Sequence, residues 1–146
     1  MRLHIIVMTV LVLFAAQARA EDDPTSQLRN ARSLKCHFGS GTTTQWTTSK
    51  PKVSNARDEQ DVQFDSIDLK NHTARVIGNI GAADIRAMPT QVGISFIEST
   101  PAVFDTTTVF AVFGVDNEFL AVDSRHVLYL GTPLAEQYYG TCKIWQ

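Results

Sequence analysis

Phe119 to Trp145, FLAVDSRHVLYLGTPLAEQYYGTCKIW, decides the fold. It reads as a strand from Phe119 to Tyr129, a Gly131-Thr132-Pro133 turn, and a closing strand from Gln137 to Trp145 that carries Cys142. The other cysteine, Cys36, stands near the far end of the chain in Ser33-Leu34-Lys35-Cys36-His37-Phe38. If the two are bonded, the first strand lies beside the last. An up-and-down barrel requires that arrangement, and a simple open sheet forbids it.

Working back through the chain, the first twenty residues predict a secretory signal peptide. Arg2 and His4 precede an apolar run from Ile5 to Ala16, and Ala18-Arg19-Ala20 forms an A-x-A cleavage site. The run is too short to cross a bilayer, for which about 20 residues are needed. The mature chain from Glu21 keeps 11 basic and 15 acidic residues, a net charge of −4. That balance offers no footprint for nucleic acid or anionic lipid. In an oxidising compartment two cysteines pair, and a bond across 106 positions stabilises by roughly 4–5 kcal/mol in the chain-entropy model. Peptide mapping is expected to find that single cross-link.

Residues 21–32 read as a flexible arm or a short helix capped by Thr25 or Ser26, and residues 33–146 as one β domain. Ser33 to Phe38 alternates Leu34, Cys36 and Phe38 against Lys35 and His37. Gly39-Ser40-Gly41 breaks it before a second strand at Thr42 to Thr48, and Ser49 to Asp61 is the longest loop. Val62 to Leu69 and Thr73 to Ile77 flank the turn Lys70-Asn71-His72, in which Asn71-His72-Thr73 matches a glycosylation sequon. Strands follow at Asp84 to Met88, at Val92 to Glu98 with Val92, Ile94 and Phe96 inward, and at Thr106 to Phe113. Turn signals every 8–12 residues predict an all-β fold of about eight strands, a closed barrel, or alternatively a β-sandwich with a swapped terminal strand.

Candidate chemistry centres on Ser124-Arg125-His126. Alternation puts Leu120, Val122, Ser124, His126 and Leu128 on the inner face and Asp123 and Arg125 outside, as a solvated ion pair. Ser124, His126 and Tyr138 are thus the ligand-binding candidates. His126 doubles as a core histidine whose loss would cost about 1–3 kcal/mol. No G-x-S-x-G elbow surrounds Ser124. No metal-ligand spacing or phosphate loop is present, so neither catalytic residue nor metal or other cofactor is assigned. His37 and His72 are expected to be exposed.

The S-R-H…Q-Y-Y-G-T-C ending, the early Cys36 followed by Phe38-Gly39-Ser40-Gly41, and Phe64-Asp65-x-Ile67-Asp68-Leu69 resemble a group of small exported bacterial β-proteins. No activity attaches to that group, so the resemblance implies no site. The architecture is also similar to lipocalin-like barrels, although Gly41 and Trp46 stand five apart where that family carries G-x-W. The expected function is that of an exported, periplasmic or secreted, non-enzymatic barrel binding a small molecule or an envelope partner, monomeric or weakly associated. The alternatives are an enzyme using His126 with Ser124 or Tyr138, and a solid structural or inhibitory module.

Overall fold

The structure is a computed structural model that describes residues 23–47 and 50–145. The expected signal peptide lies outside the described residues. A helix, α1 (Pro24–Asn30), precedes nine strands: β1 (Leu34–Thr47), β2 (Lys50–Ala56), β3 (Gln60–Asp68), β4 (Thr73–Gly78), β5 (Gly81–Pro89), β6 (Gly93–Ser99), β7 (Val103–Phe113), β8 (Phe119–Tyr129) and β9 (Thr132–Ile144). All neighbours are antiparallel, in the order β2-β1-β3-β4-β5-β6-β7-β8-β9, and β1 also pairs with β9. The result is a closed eight-stranded up-and-down barrel with one extra strand, not a sandwich.

The seam follows from the cysteines. Cys36 and Cys142 are register partners within a ladder from Leu34↔Ile144 to Gln45↔Leu134. Their Cα atoms lie 4.0 Å apart, and the disulfide is formed. Close approach of β1 and β9 needs residues without side chains. A Cβ on Gly140 would stand 2.0 Å from the His37 carbonyl oxygen, and one on Gly41 would stand 2.2 Å from that of Gln137.

Gly39-Ser40-Gly41 does not end the first strand. The register shifts there by one residue, between Phe38 and Ser40, and the strand runs on to Thr47. A bulge absorbs an extra residue without ending pairing. The expected loop at 49–61 holds β2, which pairs with β1 from Gly41↔Ala56 to Thr47↔Lys50. β3 takes the same edge of β1 lower down, from Phe38↔Gln60 to Leu34↔Phe64. β2 and β3 thus act as one barrel strand interrupted at residues 57–59.

The expected flexible arm contains α1. Its cap is Asp23, whose carboxylate accepts from the Ser26 amide at 3.0 Å, rather than Thr25 or Ser26. Pro24 suits the first helical position because the proline ring presets the backbone and its missing amide hydrogen has no helical partner there. Leu28 is 1% exposed and plugs the lower end of the barrel against β6 and β7. Above it Leu34, Phe38, Ile67, Ile94 and Val109 fill the lower interior. Ile94 and Phe96 point inward as expected, but Val92 precedes β6 in a Thr90 turn and is exposed.

The inner face of β8 is the reverse of the one expected. Phe119, Ala121 and Asp123 are buried, with Arg125 inward beside them, whereas Leu120, Val122, Ser124, His126 and Leu128 lie outside. Apolar residues occupy both faces of this strand, so hydrophobicity alone cannot orient it. The inward polar residues are retained because β7 supplies their partners, and buried polar groups persist when they are hydrogen-bonded.

Candidate functional site

The Phe64 and Phe96 rings stack at 4.0 Å between centroids, 8° from parallel, midway along the barrel. Below this floor the interior is solid. Above it is a chamber of about 450 Å³, a volume in the range of small-molecule sites. One wall is apolar, with Val62, Val76 and Ile85 from β3, β4 and β5. The opposite wall, from β6, β7 and β8, carries Glu98, Asp105, Thr107, Asp123 and Arg125.

Strand lengths create the opening. β4 joins β3 only from Gln63↔Ile77 downward and turns back at residues 78–81. β2 has no strand partner on its outer edge among the described residues. Gln60, Asp61 and the Gly78–Gly81 turn therefore rim the chamber, with Ile80 fully exposed at the tip.

Register assembles the polar wall. Asp105 faces Arg125 and Thr107 faces Asp123 across β7 and β8. Arg125 Nε donates to Asp105 Oδ2 at 2.8 Å, and Thr107 Oγ1 donates to Asp123 Oδ1 at 2.6 Å. Burial, and then the charge of Asp105, push the Asp123 carboxyl up to about 7, against the Thr107 hydrogen bond and the Arg125 charge. A hydrogen bond between the two carboxyl groups acts in the same upward direction. Asp123 therefore holds its proton far above the ordinary carboxylate range, since burial and a neighbouring negative charge both disfavour its ionised form. Burial disfavours the Arg125 cation, but its bond to Asp105 and the charges of Asp105, Asp123 and Glu136 outweigh this and hold its pKa above the ordinary value. Glu98 is the register partner of Asp105. No described residue hydrogen-bonds or ion-pairs with its carboxylate.

The three residues singled out from sequence do not come together. Tyr138 points inward and is 2% exposed. Its hydroxyl contacts Thr43, and its pKa is raised by burial first and then by the charges of Glu136 and Asp58. It does not line the chamber. Ser124 and His126 are on the outer face. Ser124 Oγ accepts from Gln137 Nε2 at 3.4 Å, and the His126 ring stacks on Phe104 with centroids 6.5 Å apart. His126 borders a shallow outer groove of about 550 Å³ with Trp46, Phe104, Leu128 and Pro133. His37 and His72 are exposed as expected, and His37 pairs with Asp61 at 2.9 Å.

The chamber's polar wall is not among the residues expected from sequence to bind a ligand. Asp105-x-Thr107 and Asp123-x-Arg125 both place two polar residues on one strand face, and that shared spacing is the signal available. Pairing back from the β7–β8 turn would have put Asp123 opposite Val109. The bulge between Val109 and Phe113 instead moves it opposite Thr107.

Among the described residues no group of three or more His, Cys, Asp or Glu is placed to hold a metal ion. No described helix is long and apolar enough to cross a membrane. No protein-family model, curated protein or solved structure matches the chain.

Proposed function

We propose that this barrel binds a small amphiphilic molecule in its upper chamber and works as an exported carrier or sensor of that molecule. The chamber carries the reading: an eight-stranded barrel either fills its interior or holds one ligand, and here the filling stops at the Phe64–Phe96 stack. An apolar wall facing a wall of converging polar groups suits a ligand with two unlike sides. Export rests on the A-x-A site and accords with the disulfide, which persists in oxidising compartments. The enzyme built on His126 finds no support in the chamber, because His126 stands outside the wall.

Native mass spectrometry of protein purified gently from its source tests the reading. The expected spectrum shows a retained organic adduct on the wild type, absent from Ala83→Trp, which fills the chamber from β5. A bare wild-type protein, or an adduct kept by both, would contradict it.

A further inference from the structure

We propose that the ligand's polar end is a protonated amine, seated between Glu98 and the Asp105–Asp123 pair, with its apolar part on Val62, Val76 and Ile85. This rests on the chamber being a ligand site and names the class of ligand it takes.

The chamber is the starting point, because its two walls already separate an apolar from a polar end. Its inward-facing charges do not balance. Arg125 is the single cation of the lining, and its Nε is committed to Asp105. Asp123 accepts from Thr107 Oγ1 and is hydrogen-bonded to the Asp105 carboxyl. Glu98 has no partner among the described residues, and its register partner is another carboxyl group, Asp105. Like charges directly opposed across two strands destabilise the sheet. A half-buried carboxylate also gives up part of its hydration without a compensating ion.

A cationic donor entering from the rim would meet Glu98 and Asp105 side by side, with Asp123 at the level of Thr107 next to them. An ammonium group has three donors, enough for Glu98, Asp105 and the Asp123 oxygen that Thr107 leaves open. Binding would also favour release of the Asp123 proton to solvent, the ammonium charge taking its place beside the carboxyl groups. An anionic end would instead meet an unpaired carboxylate and an already engaged arginine. A neutral alcohol would satisfy hydrogen bonds but leave the charge uncompensated.

Calorimetric titration at pH 7 with octylamine, octanol and octanoate tests the proposal on three probes that share one tail. Octylamine is expected to bind at least about tenfold more tightly than either of the others, a difference of about 1.4 kcal/mol. Glu98→Gln, which touches no described structural bond, is expected to bring octylamine close to octanol while leaving octanol unchanged. Equal affinities, a preference for octanoate, or an undiminished amine preference in Glu98→Gln would overturn the assignment and leave the chamber reading standing. No binding of any probe would overturn both.

Discussion

Asp123 shows how one buried side chain sets a pH dependence. In the unfolded chain its carboxyl titrates at about 3.9, and in the fold it is pushed up to about 7. Between these values the folded state keeps a proton that the unfolded chain has released. The Asp123 contribution to stability is therefore fully present below about pH 4 and declines as pH rises to about 7, by a few kcal/mol. Besides burial, the groups that set this are Asp105 and Thr107 on β7 and Arg125 on β8. Asp123→Asn keeps an acceptor for Thr107 and is expected to unfold at higher urea than wild type above pH 7, with little difference at pH 4. Equal urea midpoints at pH 8 would refute the burial argument. Outside the wall, His126→Ala is expected to change stability by no more than about 0.5 kcal/mol, in place of the larger cost a core histidine implies. Which residues of β8 face inward was not legible in its sequence, because either face of Phe119–Tyr129 offers apolar residues and partners on β7 decide between them.

At the scale of elements, the segments with strong turn chemistry were legible. Asp68 accepts from the amides of Lys70 and Asn71, and from Asn71 Nδ2 at 2.7 Å, closing the β3–β4 hairpin where the sequence reading put it. The boundaries of β8 were legible from its flanking turn residues, Gly114 to Glu118 before it and Gly131-Thr132-Pro133 after it. β2 was not, because its residues are nearly all exposed and carry Lys50, Pro51 and Lys52, features that keep a strand edge from recruiting another chain. The bulge in β1 looks like a strand break in sequence for a similar reason: glycine marks both. Sequence leaves α1 between arm and helix because seven residues lack intrinsic helical stability, and docking of Leu28 supplies what propensity does not. Leu28→Ala is expected to cost about 2–5 kcal/mol. Faster hydrogen exchange in the lower ends of β6 and β7 would localise the loss, and an unchanged melting temperature would contradict the role given to the plug. Replacing Cys36 and Cys142 together by alanine is expected to lower stability by about 2–5 kcal/mol while leaving the far-ultraviolet strand spectrum intact. Loss of that spectrum under mild conditions would mean the seam cannot pair without its covalent tie.

Over the whole molecule, the two cysteines made closure legible, since a bond between first and last strands leaves few topologies. Closure alone does not say whether the interior is filled. Of the large residues expected inward, Phe38, Phe96 and Tyr138 do point in and Val122 does not, and together with Leu28 the three fill only the half below and beside the aromatic floor. The upper half stays open because β4 and β5 stop short at Gly78–Gly81 and because the wall is interrupted between β2 and β3 at residues 57–59. Strand ends and interruptions of this kind carry little signal in hydrophobic periodicity. The molecule is thus a solid base, tied at its seam and plugged by a helix, beneath a chamber with one apolar and one charged wall. Fluorescence titration with phenylnaphthylamine, a neutral probe that brightens in apolar surroundings, examines that chamber without relying on its charges. Wild-type protein should bind one probe per chain with saturable enhancement, and Ala83→Trp should abolish it. Absence of saturable binding to the wild type, or unchanged binding to Ala83→Trp, would contradict a ligand chamber above the Phe64–Phe96 floor.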